Sequence, residues 1–394
     1  MTVSFDLLQS VGIAILVLLL GRFIKSKIKI LQTYFIPAPV IGGLLCSIFI
    51  FIGMKTGAYT IEFDITLQDF FMNVFFAGTG FTCSLAVFKK SGKIGLALGI
   101  GAVLFLAVQN LVGIGLCQVF GINKLLGIAM GSISMSGGVG SGASFGPTLE
   151  ALGAEGGTTI GVAAATFGLL LGSLAGGPVA KRLITKYNLK SSTEENTAFK
   201  SEKKDALQLN EKNLFNSLVL LLVGAFIGTY IGKLLNLTGL GFPYYVGCLF
   251  GGALVRNIAD FKQYDIRMEE INIISNSALN IFLAMALMSL NISKLVSLAG
   301  PMIAILLVQT IVMMLWAYFV TFNTTGRNYD SAVMAAGHCG VGLGQAPNAI
   351  ANMSAVIEEH GPAPTAWFVL PVVTVVLINI FNPIIITFFI HLVA

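Results

Sequence analysis

Charge is what this chain has least of. Only 10% of its 394 residues are Asp, Glu, Lys or Arg, against about 25% in an ordinary soluble domain. That scarcity excludes a solvated surface of normal extent. The five cysteines (Cys46, Cys83, Cys117, Cys248, Cys339) stand singly in apolar surroundings, with no C-x-x-C pair. An odd, scattered set of this kind offers neither a disulfide framework nor a zinc site. No H-E-x-x-H, G-x-S-x-G or P-loop occurs, which argues against an intramembrane enzyme and against ATP-driven transport by this chain alone. No basic residue precedes the first apolar run, since Arg22 and Lys25 follow it, so no cleavable signal is expected.

What fills the space is hydrocarbon. Hydrophobic residues make up 56% of the chain, and mean hydropathy is +0.87. Uncharged runs of 18 or more residues predict an all-α polytopic membrane protein; they do not alternate as barrel strands would. Spans are expected at about 5–21, 36–54, 70–88, 94–120 and 158–180, then at about 214–235, 242–259, 276–293, 298–322 and 364–391. Residues 184–213 are rich in Lys, Glu and Asp and predict a solvated linker. This gives a first repeat at 1–183, a charged cytoplasmic linker at 184–213 and a second repeat at 214–394.

The two halves echo each other. Pro37-Ala38-Pro39-Val40 aligns with Pro243-Tyr244-Tyr245-Val246, Asn73-Val74-Phe75-Phe76-Ala77 with Asn280-Ile281-Phe282-Leu283-Ala284, and Val108-Gln109 with Val308-Gln309, at nearly constant offset. Gly138-Val139-Gly140 aligns in the same way with Gly340-Val341-Gly342. These last triplets lie in two Gly-rich segments, at about 124–150 and 331–357, each flanked by a proline (Pro147, Pro347). A Gly-rich break tolerates membrane depth only where protein or a wet cavity covers it. Each segment therefore predicts a re-entrant hairpin, giving ten spans and two hairpins in all. With the N-terminus outside, nineteen of the 23 Lys and Arg residues fall inside, leaving Lys55, Lys124, Lys233 and Lys294 outside. That bias follows the positive-inside rule. Five spans per half make the repeats inverted, with hairpins entering from opposite faces and both termini outside. The basic residues crowd loops on one side, so the net charge of +5 is no sign of nucleic-acid binding; the expected surroundings are the lipid bilayer.

Paired breaks in inverted repeats point to a transporter's binding site. Half-helix N-termini offer N–H groups and partial positive charge to a carboxylate, and half-helix C-termini offer carbonyls to Na⁺. The substrate-binding candidates are Ser136, Gly137, Gly138, Gly140 and Ser141 in the first segment, and His338, Cys339, Gly340, Gly342, Gln345 and Asn348 in the second. The competing reading is that these small residues only let helices pack closely. Ion-binding candidates are Ser134, Thr166 and the mid-span pairs Gln109-Asn110 and Gln309-Thr310; each also suits interhelical hydrogen bonding. His338 can be a proton carrier, a substrate partner or a structurally bonded side chain. Asp330 can cap the second hairpin or face the pathway. All five arginines lie at span ends or in loops, so none is placed to clamp a carboxylate at mid-membrane.

These residues carry a resemblance. I-P-x-P-V-x-G-G-L at 36–44, G-S-I-x-x-S-G-G at 131–138, A-T-F-G-L at 165–169, G-G-P-V-A at 176–180, F-L-A-M-A-L-M at 282–288, Y-D-x-A-V at 329–333, A-A-G-H-C-G at 335–340 and A-I-A-N-M at 349–353 together resemble the glutamate:Na⁺ symporter (ESS) family along nearly the whole chain. The resemblance implies Na⁺-driven uptake of L-glutamate with no cofactor, a homodimer in the bacterial inner membrane, and an elevator-like movement. In that movement the first two spans of each half would form the scaffold and the rest the mover. Another small carboxylate, or H⁺ as coupling ion, is the alternative. The family's first motif usually reads close to S-G-G-H-G-T-G; here Val139 stands for its His and Ser141 for its Thr.

Overall fold

The structure is a computed structural model that describes residues 2–191, 210–288, 290 and 292–394. Most of the expected linker, 192–209, lies outside the described residues. Helix α9 (Gly157–Tyr187) overruns the expected boundary at 183, and α10 (Glu211–Asn236) starts before 213.

The first helix, α1 (Leu7–Lys27), begins at a capping box. Asp6 Oδ1 accepts from the Gln9 N–H at 2.8 Å, and Gln9 Oε1 accepts from the Asp6 N–H at 3.1 Å; two otherwise orphaned N–H groups are satisfied. After a short connector, α2 (Lys29–Thr33), comes α3 (Ala38–Lys55), which opens at Pro37-Ala38-Pro39. Helix α11 (Tyr244–Phe261) likewise opens after a proline, Pro243. Proline fits the start of a helix because that N–H has no partner there in any case. The remaining elements of the first half are α4 (Thr66–Phe81), α5 (Leu85–Lys89), α6 (Gly92–Val119), α7 (Lys124–Ile128) and α8 (Gly138–Ala151). The second half continues with α12 (Met268–Leu287), α13 (Ile292–Trp316), α14 (Phe322–Thr324), α15 (Tyr329–Leu343), α16 (Ala346–His360) and α17 (Pro364–Val393).

Nine helical stretches among the described residues are long and apolar enough to cross a membrane, against the ten expected. The missing one is α11, whose 18 residues include Arg256 and Asp260. Those two side chains pair at 2.9 Å. A second departure from an all-helical chain is a pair of short parallel strands, β1 (Thr2–Phe5) and β2 (Thr60–Phe63), in register Thr2 to Thr60 through Phe5 to Phe63. The Phe5 and Phe63 rings stack at 5.7 Å.

The helices sort into two groups. Helices α1, α3, α4, α10, α11 and α12 pack mainly on one another, around small clusters such as Phe81, Leu221, Cys248 and Ile271. Helices α6 to α9, α13 and α15 to α17 share the large core. Family resemblance assigns only two spans per half to the scaffold, but α4 and α12 lie against each other and against the first group. Ser275 on α12 occupies the space beside Gly78 on α4, and Ser275 donates to the Phe75 carbonyl at 3.3 Å.

Candidate functional site

Both Gly-rich segments are broken helices. In the first, α7 runs into a π-helical turn, Ala129–Ile133, where Gly131 leaves helical geometry (φ −96°, ψ −133°). The chain resumes as α8 at Gly138, whose φ is +72°. In the second, α15 ends at Leu343, Gly344 leaves helical geometry (φ −151°, ψ −115°), Gln345 is extended, and α16 starts at Ala346. The breaks touch. A Cβ on Gly138 would lie 2.4 Å from Gln345 Nε2.

Helix α6 clasps the two breaks together. Gln109 donates from Nε2 to the Gly342 carbonyl at 2.7 Å and accepts from Ser136 Oγ at 2.7 Å. The neighbouring Asn110 accepts from the Ser132 N–H at 2.9 Å. From the other half, Gln309 donates to the Gln109 carbonyl at 2.7 Å, and Asn382 of α17 donates to the Ser132 carbonyl at 3.0 Å. Ser134 donates to the Gly161 carbonyl at 2.6 Å. Asn348 donates to the Leu169 carbonyl at 2.8 Å and to Ser173 Oγ at 2.6 Å. These bonds do for the breaks what the missing helical bonds cannot, because backbone groups buried without partners are costly. Among the described residues five buried side-chain oxygens nonetheless have no partner: the Tyr245 hydroxyl on α11 and, on or beside the breaks, Ser132 Oγ, Gln309 Oε1, Asn348 Oδ1 and Asn382 Oδ1.

Two adjoining cavities open where the breaks meet the α4–α12 pair. One, of about 310 Å³, is lined by Ser136, Gly137, Gln345 and Ala346 together with Thr79, Asn272, Asn276 and Asn379. The other, of about 70 Å³, is lined by Gly137, Gly140, Ser141, Gln345, Asn379 and Asn382. No charged side chain lines either. Residues at the N-termini of α8 (Gly137, Gly140, Ser141) and of α16 (Gln345, Ala346, Pro347) line these cavities, and each helix N-terminus carries roughly half a positive charge; in α16 Pro347 has no N–H and the Asn348 N–H bonds the Gln345 carbonyl at 2.9 Å. The larger space falls at the lower end of the range for small-molecule sites, about 300–1,000 Å³.

Not every expected residue reaches this place. His338 is 1% exposed; its Nδ1 is 2.8 Å from Thr321 Oγ1, and its ring sits edge-on to Phe105 at 6.1 Å. Cys339 is buried in the large core, and Gly340 is the point at which α15 presses on Ala349 of α16. Gly342 contributes its carbonyl to the Gln109 clasp, while its Cα faces Met313. Thr166 donates to its own helix at Val162 and lines a separate apolar cavity of about 280 Å³. Thr310 likewise donates back to Leu306. Neither threonine lines the two cavities at the breaks. Asp330 accepts from the Ala366 N–H at 2.9 Å, which makes it a cap for α17. Among the described residues, no three His, Cys, Asp or Glu side chains converge as a metal site.

Sequence reasoning missed the polar wall opposite the breaks. Asn272 and Asn276 on α12, Thr79 on α4, and Asn379 and Asn382 on α17 had a signal: polar pairs spaced i, i+4 or i, i+3 mark one helix face, and a polar face inside a membrane helix needs a cavity or a partner.

Residues 3–362 match the family model described as sodium/glutamate symporter. The sodium/glutamate symporter of Escherichia coli strain K12 is 39% identical over 394 residues, covering 98% of each chain. That of Haemophilus influenzae is 34% identical over 391 residues, covering 97% of this chain and 96% of its own. A sodium proton antiporter from Methanocaldococcus jannaschii is similar in structure at a TM-score of 0.44 and 15% identity, over 99% of this chain and 96% of that one; at that level the likeness carries no argument. The chain belongs to the sodium/glutamate symporter family, and so is a multi-pass membrane transporter and not an enzyme.

Proposed function

We propose that this protein takes up L-glutamate by symport with Na⁺, and that the substrate sits in the cavity between the two breaks and the α4–α12 pair. The observation that carries the reading is the meeting of two half-helix N-termini at an uncharged cavity. Glutamate has two carboxylates, and the site has two N-termini to receive them. Ser141 and Gln345 add donors at short range, while the Ser136 hydroxyl is already given to Gln109. The amide oxygens of Asn272, Asn276 and Asn379 face the substrate ammonium. Val139 is 1% exposed within an apolar cluster, so the lost histidine of the family motif removes no group from this cavity.

Na⁺ takes oxygen ligands. The unpaired oxygens of Ser132, Gln309, Asn348 and Asn382 surround the breaks, and a cation there relieves the cost of burying them without partners. Na⁺ is favoured over H⁺ because His338 and Asp330 are both committed to structural bonds away from the cavity. The cavity wall comes from both helix groups, so closing it around substrate and ion permits one group to slide past the other, as an elevator does. Similar packing in the two halves supports this: α1 packs on α3 through Gly21 and Gly42 in the way α10 packs on α11 through Gly228 and Gly251. The functional unit is a homodimer in the bacterial inner membrane, with both termini outside. Each net positive charge carried inward gains about 2.3 kcal/mol per 100 mV.

The test is uptake of radiolabelled L-glutamate into proteoliposomes under inward gradients of Na⁺, K⁺ or H⁺. Accumulation with Na⁺ alone, abolished by excess unlabelled glutamate, is the expected result. Uptake driven by the pH gradient without Na⁺ overturns the coupling; Na⁺-driven uptake of a different carboxylate, with glutamate ignored, overturns the substrate.

A further inference from the structure

A second, larger hollow lies on the flank of the large helix group, far in composition from the polar cavity. It runs between the C-terminal part of α9 and the end of α13 and measures about 950 Å³. Its walls include Met314, Leu315 and Phe319 and, from α9, three cations, Lys181, Arg182 and Lys186. No carboxylate lines it. Lys186 is held in place: its Nζ donates to the Tyr318 hydroxyl at 3.1 Å and lies over the Tyr187 and Tyr318 rings at 5.2 and 5.5 Å. Leu315 and Phe319 are more than half exposed, so in a bilayer they meet acyl chains.

A basic residue at the end of a membrane helix is ordinarily an anchor that reaches to the headgroup level. Such anchors point outward from a convex surface. Here three of them rim a concave groove with an apolar floor, which is the shape and charge pattern of a headgroup pocket between helices. The charge count along the chain puts these cations on the cytoplasmic side, where anionic lipids are recognised. A zwitterionic lipid brings its own cation and gains little from three more. We propose that this groove binds one anionic phospholipid, its phosphate among Lys181, Arg182 and Lys186 and its acyl chains along Met314, Leu315 and Phe319. The inference is independent of the substrate site, which shares none of these residues.

The experiment is thermal unfolding of the purified full-length protein in detergent, followed by tryptophan fluorescence; Trp316 stands one residue from Leu315 in α13. The probes are phosphatidylglycerol, phosphatidylcholine of the same acyl chains, and inorganic phosphate. Phosphatidylglycerol should raise the midpoint saturably, while phosphatidylcholine and phosphate leave it where it was. The triple variant Lys181→Gln, Arg182→Gln, Lys186→Gln should need roughly a hundredfold more phosphatidylglycerol for the same rise, from about a factor of ten or less per lost cation. Thr185→Trp, which fills the groove and leaves the charges, should abolish the response too; it keeps the test decisive if the triple variant fails to fold. An equal response to phosphatidylcholine overturns the headgroup assignment. An unchanged response in both variants overturns the groove, and a response to phosphate alone overturns the lipid.

Discussion

At Gly138 two separate demands fall on one residue. Its φ of +72° is a conformation that an L side chain adopts at a cost of roughly 1–2 kcal/mol. A Cβ there would also press within 2.4 Å of Gln345 Nε2, where the two breaks meet. Gly138→Val is expected to reduce Na⁺-driven glutamate uptake to background while the protein still inserts and elutes as a single species on gel filtration. Gly138→Ala should lose less, because alanine tolerates the positive φ better than a β-branched residue does. Wild-type uptake by the valine variant would sink the proposal that substrate sits at this junction. The same residue was legible beforehand, since a repeated Gly-Val-Gly in apolar surroundings has few explanations. Gln109 and Gln309 were legible for a like reason: an amide in mid-span must find a partner. For His338 the sequence left a proton carrier, a substrate partner and a structurally bonded side chain all open. Its partner, Thr321, is 17 positions away on another element, and no spacing rule links them.

Elements were legible where they were long and illegible where they were short. Apolar runs announced α1, α6 and α17 with boundaries off by a few residues. Strands β1 and β2 are four residues each, too brief for an alternating pattern to stand out, and they pair across more than fifty residues of chain. Close packing of α10 on α11 was invisible as well, because glycine spacing does not say which helix is the neighbour. There, a Cβ on Gly251 would lie 2.1 Å from the Gly224 carbonyl. Backbone against backbone cannot yield by rotamer change, so Gly251→Leu should cost more than the usual 1–3 kcal/mol of overpacking. It should yield little folded protein by fluorescence-detected gel filtration. Gly177→Ala is the matched control, since a Cβ at Gly177 meets nothing within 4 Å; its yield and melting midpoint should equal those of wild type. Normal yield from Gly251→Leu would mean that α10 and α11 separate more easily than their contact suggests.

The two helix groups touch at few places, and one of these permits a direct test of movement. Cys83, at the end of α4, lies with its Sγ 3.9 Å from the Val376 carbonyl of α17. With the other four cysteines replaced by alanine and Val376→Cys added, a short bifunctional thiosulfonate reagent should bridge the groups. Uptake should fall to background on bridging and return on reduction, with the single-cysteine parent unaffected by the reagent. Full uptake by quantitatively bridged protein would exclude sliding of one group on the other. Nothing in the chain's hydropathy separates α4 and α12 from the spans that follow them. Their place was decided by contacts such as Ser275 beside Gly78, which join residues nearly two hundred positions apart.

Composition and periodicity alone determined that this chain is helical, crosses a membrane many times and interrupts its helices at two Gly-rich segments. Each of these follows from local rules: the cost of charge in hydrocarbon, the length needed to span it, and the inability of a Gly-rich stretch to stay helical there. Only the tertiary structure decided that Gln109 clasps the two breaks, that Asn272, Asn276 and Asn379 face them, and that His338 bonds Thr321 instead. Those outcomes depend on which faces of distant helices meet, and a hydrogen bond between residues 200 positions apart leaves no mark on the sequence near either one.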